Sequence, residues 1–281
     1  MVQVINQLTS VPFLGVGIGY RQELKQETLR SHAKIDFLEI ITEHYTNNSR
    51  MLAELEEICA LFPVIPHGIS LSIGSMTPLD KQHLRGIKRV CEVTQAPYYS
   101  EHLCMTKAPG IDLGHLSPLW FTEEVLERVI QNVLFVQEYL ERPLVLENVT
   151  YYFDIPGNHM SQTEFFNRLV AATNCGVLLD ITNVYINSVN HHFDPLNFLD
   201  QMPLEHVVQV HLAGGYWLNG LLVDGHSEPV QEESWHLLQA LVDRCQVKGI
   251  IFEHDTNFPP MELFLQQIQR AKQIIRKDKG A

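Results

Sequence analysis

PLVLENVTYY (143–152), then SQTEFFNRLVAAT (161–173), then GVLLDITN (176–183) is the stretch that decides the fold. Its outer segments are continuous apolar runs rather than strict alternations, as in strands buried on both faces of a parallel sheet covered by helices. The middle segment has helical periodicity, and SQTE (161–164) reads as a capping box at its start. Both apolar runs end in groups awkward to bury, Glu147-Asn148 and Asp180 with Asn183.

The same unit recurs outward in both directions. Strands are expected over 13–20 (FLGVGIGY), 35–45 (IDFLEIITEHY), 63–72 (PVIPHGISLS), 97–105 (PYYSEHLCM), 207–215 (VVQVHLAGG) and 248–255 (KGIIFEHD). Helical spacing fills the gaps at 49–61, 79–95, 120–141, 230–245 and 260–276, with a fainter pattern at 21–33. SMTPLD (75–80) supplies helix-start residues, and acidic residues open 120–141, where they complement the helix dipole. Strand–helix alternation at roughly 30-residue spacing predicts an α/β protein, a single (β/α)8 TIM barrel over 1–281 with its core at about 13–276. An open doubly wound sheet is the alternative. It lacks support because Gly15, Gly17 and Gly19 of GVGIGY are spaced by twos within a strand, not as a phosphate loop opening a helix.

The chain has 281 residues, 45% hydrophobic and 19% charged, as in an ordinary globular protein. No apolar run reaches the roughly 20 residues of a membrane helix. MVQVINQLTSVPFLG (1–15) has no basic region followed by a long apolar stretch, so no secretory signal is expected. The five cysteines are odd in number and never form CxxC; they fit buried small hydrophobes in a reducing cytoplasm. A net charge of −13 without a basic patch excludes nucleic acid as a partner.

Fourteen histidines are many for this length, and several fall at strand ends: PHG (66–68), SEH (100–102), VHLAGG (210–215), DGH (224–226) and FEHD (252–255). Taken singly, each candidate has a structural explanation. His67 could be a turn histidine, Glu101 and His102 a barrel-top pair, His211 a satisfied core histidine, Asp224 and His226 members of a solvated loop. Taken together they converge at the C-terminal mouth of the barrel, which tolerates them only if cations or one another satisfy them. Imidazole and carboxylate donors without a thiolate cluster suit iron, manganese or catalytic zinc. There are more donors than one ion needs, which points to two or three metals.

PHGISLSIGS (66–75), SEHLCM (100–105), LENVTYYF (146–153), LLDITNVYINSVNH (178–191), QVHLAGG (209–215), DGHSEPV (224–230) and FEHDTNFP (252–259) resemble the multinuclear non-haem iron-dependent oxidative enzymes, of which the methanobactin-forming oxidase is the best known. The resemblance runs from residue 15 to residue 259. It implies two or three irons and molecular oxygen as co-substrate. It implies oxidation of cysteine, or sometimes another residue, in a ribosomally synthesised precursor peptide. The metal ligands it implies are His67, His102, Glu147, Asp180, Asn183, His211, Asp224, His226 and Glu253. The chain departs from the family pattern at Asp180-Ile-Thr-Asn183, where Asp-x-Asn-Asn is common, and at Glu253-His254-Asp255, where Glu-Arg-Asp is common. Because barrel elements consume almost the whole chain, a separate leader-binding partner protein is expected to present the peptide.

Two rival classes share such donors. A sugar isomerase would want a catalytic lysine or histidine beside the metals, and a phosphoesterase would want basic residues around them. Lys107 is the one basic residue that the motifs place nearby. The non-enzymatic alternative is a metal-binding protein.

Overall fold

The computed structural model describes residues 8–108 and 110–278; residues 1–7, on which part of the signal-peptide expectation rests, lie outside. Eight parallel strands close into a barrel in chain order: β1 (Gly15–Gly19), β2 (Leu38–Ile41), β3 (Val64–Gly68), β4 (Tyr99–His102), β5 (Leu144–Glu147), β6 (Gly176–Asp180), β7 (Val207–Leu212) and β8 (Gly249–Phe252). β8 pairs back to β1 from Gly249↔Gly15 to Phe252↔Ile18. Every barrel strand falls inside a segment expected from the sequence.

The two-residue period of a strand sorts its side chains into two cores. Val16, Ile18, Leu38, Ile40, Leu146 and Leu179 point outward into the core shared with the helices. Phe37, Ile65, Val145, Leu178 and Ile251 belong to a separate apolar plug inside the barrel. Two residues beyond each of these, on the same face and one level higher, stand Glu39, His67, Glu147, Asp180 and Glu253. The strands therefore write a plug and a polar layer with one repeat. β1 contributes no side chain to this interior, because Gly15, Gly17 and Gly19 alternate with the outward Val16 and Ile18. A Cβ at Gly17 would stand 2.0 Å from the Phe37 carbonyl oxygen, so the glycine run serves close packing of the first two strands.

Helix starts follow their caps. Ser161 accepts from the Glu164 amide at the head of Gln162–Thr173, and Asp80 accepts from Gln82 and His83 at the head of Lys81–Thr94. Glu123–Leu140 opens with Glu123 and Glu124.

The structure shortens most of the expected strands: 35–45 ends at Ile41 and gives way to helix Glu43–Thr46, 63–72 ends at Gly68 and 143–152 at Glu147. The 176–183 segment stops being strand at Asp180, whose carboxylate accepts from the Asn183 amide at 2.7 Å and starts helix Ile181–His191. The 97–105 segment ends at His102; Cys104 turns back to the His102 carbonyl, and an unforeseen hairpin follows, Met105–Ala108 with Ile111–Ser117. The 207–215 segment ends at Leu212, and a second hairpin pairs Tyr216–Leu218 with Leu221–Val223. The faint 21–33 pattern resolves into one short helix, Lys25–Arg30, between two 3-10 turns. No cysteine is in a disulfide; Cys91, Cys104 and Cys175 are buried, whereas Cys59 and Cys245 are only half-buried. Among the described residues no helix is long and apolar enough to cross a membrane.

Candidate metal centre

The histidines expected to share a site do so: the His67 ring lies 4.6 Å from that of His102 and 5.3 Å from that of His211. Glu147, buried at the end of β5, stands between them. Its Oε2 is 3.2 Å from His67 Nε2 and 3.4 Å from His102 Nε2, and its Oε1 is 3.5 Å from His211 Nδ1. Two sets of donors gather within 4.8 Å: His67, His102 and Glu147, and then Glu147, Asp180, His211 and Glu253. Glu147 belongs to both, as a bridging carboxylate would.

The outer nitrogens explain why these faces turn inward. His67 Nδ1 meets the Ser100 hydroxyl at 3.0 Å, and His102 Nδ1 donates to the Gly68 carbonyl at 2.9 Å. That leaves both Nε2 atoms for the centre. Gly68 must be glycine, since a Cβ there would meet the Tyr99 hydroxyl at 1.8 Å and Glu101 Oε2 at 2.4 Å. Glu101 is accordingly spent on structure, accepting from the Leu71 amide, the Tyr99 hydroxyl and the His102 amide.

The other side of the mouth holds the remaining expected ligands. Asn148 brackets β6, accepting from the Asp180 amide and donating to the Asp180 carbonyl. Asn183 Nδ2 donates to the Asn148 carbonyl. Asp224 and His226 arrive on the loop after the second hairpin, with His226 Nε2 2.9 Å from Asp224 Oδ1. His226 Nδ1 is 3.1 Å from Asp255 and 3.7 Å from Glu253 Oε2, while Glu253 Oε2 is 3.1 Å from His211 Nδ1.

Whether these residues fit metal ions is tested by the polar atoms they leave over. Glu147 Oε2, Asp180 Oδ2, Asn183 Oδ1, His211 Nδ1, Asp224 Oδ1 and His226 Nε2 are all buried without a well-directed hydrogen bond, although some of them face one another as close charged contacts. Such atoms cost about 1–3 kcal/mol each when left so. A cation between them satisfies several at once, and the donor set suits it.

The electrostatics point the same way. Burial, then the charges of Glu147 and Asp224, hold Asp180 well above the usual carboxylate range. Burial pulls His102 down, but Glu147 and Glu101 outweigh it and raise the imidazole to about 10. His67 is pushed well below its usual value by burial and by positive charge on His102 and His211. The raised His102 favours a protonated ring, and a nitrogen must be bare to ligate, so a metal ion held there would have to expel that proton. Adding divalent metal to metal-free protein in weak buffer should therefore release protons, and affinity should rise as pH climbs toward 10. A pH-stat titration with no proton release would sink this account.

Several residues at the site were not foreseen. Glu39 lies beside His211, and the rule of an ionisable group within an apolar strand applies to it equally. Arg21, just past β1, donates through Nε and Nη2 to Asp255 Oδ1 at 2.9 and 2.5 Å. This corrects the expectation that Lys107 is the one basic residue nearby. Cys104 is two residues past His102, but it lies beyond the end of β4, so strand alternation does not carry it onto the same face. Its thiol stays protonated through burial and the charges of Glu101 and Glu147, and it joins neither donor set.

The closed barrel is a TIM barrel, a fold shared with sugar epimerases of known structure. A D-tagatose 3-epimerase-like protein superposes with a TM-score of 0.61 at 16% identity, covering 95% of this chain and 100% of its own. L-ribulose 3-epimerase gives 0.57 at 14% identity, covering 95% and 93%. At these identities the likeness is one of fold. The chain belongs to the family of the RiPP precursor modification enzymes MbnB/TglH/ChrH, matched over residues 15–276, and so to enzymes that modify ribosomally made peptides. Relatives include the UPF0276 protein AM1_3026 of Acaryochloris marina, 34% identical over 257 residues (92% of this chain, 93% of the relative). A UPF0276 protein of Shewanella sediminis is 36% identical over 258 residues (91% and 92%).

Proposed function

We propose that the protein is a multinuclear non-haem iron oxidase that uses O2 to modify cysteine, or another residue, of a ribosomally synthesised precursor peptide. The observation that carries this reading is the pair of donor sets sharing Glu147. His67, His102, Glu147, Asp180, Asn183, His211, Asp224, His226 and Glu253 would hold two or three ions. Iron bound there would supply open positions for a peptide thiolate and for O2, together with the one-electron steps of the oxidation.

The chain's own residues would bind, orient and exclude water. Glu147 would fix the spacing of neighbouring ions. Ser100 and the Gly68 carbonyl hold the two imidazoles so that Nε2 faces inward. No side-chain nucleophile is called for, and the one buried thiol nearby, Cys104, is held in its unreactive protonated form. The two mouth hairpins carry Ile111 and Trp217, exposed by 60% and 64%, which supports a surface for the peptide or for a separate leader-binding partner.

Protein produced with added iron should contain more than one iron per chain by elemental analysis. It should consume O2 only when a cysteine-containing precursor peptide is present. A single tightly held zinc with no iron would overturn the reading. Arg21 gives a phosphoesterase alternative one basic residue, but its charge is paired with Asp255, and Nε, Nη1 and Nη2 each already donate, to Asp255 or to the Tyr20 carbonyl.

A further inference from the structure

Beneath the cluster lies a buried polar chain with no part in the ligand set. Tyr98, just before β4, donates its hydroxyl to Gln209 Oε1, and Gln209 Nε2 donates to Glu39 Oε2. The other oxygen of Glu39, Oε1, is 2.9 Å from His211 Nε2. Gln209 Nε2 also lies 2.8 Å from that ring nitrogen; since an amide N–H only donates, this is a packing contact and not a bond when Nε2 of Gln209 and Nε2 of His211 both donate to Glu39. His211, Gln209 and Tyr98 are fully buried and Glu39 is 2% exposed, so no solvent stands in for any of these contacts.

The arrangement spans the barrel. Glu39 is on β2 and His211 on β7, with β8 and β1 between them in the closed sheet. The reach is open because β1 presents only glycines to the interior. His211 has one nitrogen on Glu39 and the other, Nδ1, without a well-directed hydrogen bond and 3.1 Å from Glu253 Oε2. A ring whose far nitrogen is held by a carboxylate can face the cation in one orientation and one tautomer only. A carboxylate in that position also strengthens the imidazole as a ligand.

We propose that Glu39 is a positioning residue for the metal centre: it holds His211 Nε2, so that Nδ1 is the ligating atom, and Tyr98 and Gln209 hold Glu39 in turn. The inference rests on the metal reading of the cluster but not on which metal or which oxidation it serves.

The test uses Co(II), whose absorption reports its ligands, on the full-length protein. Affinities come from chelator competition, and thermal melting is followed without metal. In Glu39→Gln one equivalent of Co(II) should bind about 10–100-fold more weakly with a shifted absorption band, a loss typical of such outer partners. The remaining equivalents and the metal-free melting should stay close to wild type. Unchanged affinity and spectrum would overturn the proposal. So would an equal loss of every equivalent with a lowered melting temperature, which marks a merely structural role. If Glu39→Gln does not fold, Tyr98→Phe decides, since it removes only the hydroxyl at the far end. A smaller shift of the same band supports the proposal, and an unaltered spectrum overturns it. Wild-type protein that takes up no Co(II) would sink the metal reading and this proposal together, whereas uptake unaffected by the variants sinks the proposal alone.

Discussion

Glu147→Gln should abolish peptide oxidation and leave at most one metal ion per chain. Glu147 alone belongs to both donor sets, with an oxygen 3.2 Å from His67 and the other 3.5 Å from His211. The amide keeps the shape but loses the charge that faces two cations, and one of its two ends becomes an NH2 donor aimed at them. Removing one member of a buried charge cluster costs about 3–5 kcal/mol, so affinity should fall by at least about 100-fold. Elemental analysis and oxygen uptake measure both effects. Cys104→Ser is the control, expected to keep its full metal content because the thiol joins neither donor set. Full metal and full turnover in Glu147→Gln would show that the centre is not bridged there. Loss of an iron equivalent in Cys104→Ser would place a thiolate in the ligand set.

Gly214→Ala should detach one side of the site while sparing the barrel. A Cβ at Gly214 would stand 1.8 Å from the Glu228 carbonyl oxygen and 2.3 Å from its carbon, both backbone, so the chain around residue 228 must move. That segment carries Asp224 and His226 into the mouth. Overpacking of this kind costs about 1–3 kcal/mol. At roughly 2–4 °C per kcal/mol for a chain of this size, melting should fall by several degrees. The larger effect is functional: displacing Asp224 and His226 should remove one metal equivalent and most turnover, with the circular dichroism of the barrel retained. Elemental analysis that finds every equivalent still present would mean that the loop yields elsewhere and that the ligand positions of Asp224 and His226 are not set by this contact.

Much of this was legible in the residue order. Apolar residues two positions before His67, Glu147, Asp180 and Glu253 mark strands that are dry below and polar at the rim, which is the layering found. Glu39 obeys the same rule after Phe37 yet was not singled out, because it falls on the second residue of β2 rather than at its end. Barrel strands are tilted and staggered, so an early residue of one strand can stand level with a late residue of another; here it meets His211, the fifth residue of β7. Arg21 was missed for a related reason. It is an ordinary residue after a strand until Asp255, on the neighbouring strand's loop, closes on it.

The sequence by itself determined the architecture and the chemical type of the site. Both are carried by short-range periodicity, the two-residue repeat that turns apolar-x-ionisable into plug and rim, and the capped helical segments between. Only the tertiary structure decided which atoms face the centre. It made Glu147 the shared carboxylate, turned Nε2 of His67 and His102 inward but Nδ1 of His211, and ended the reach of strand alternation before Cys104. Those outcomes depend on the level at which each strand enters the closed sheet and on where each strand stops. Closure couples all the strands at once, so no local stretch of residues contains it.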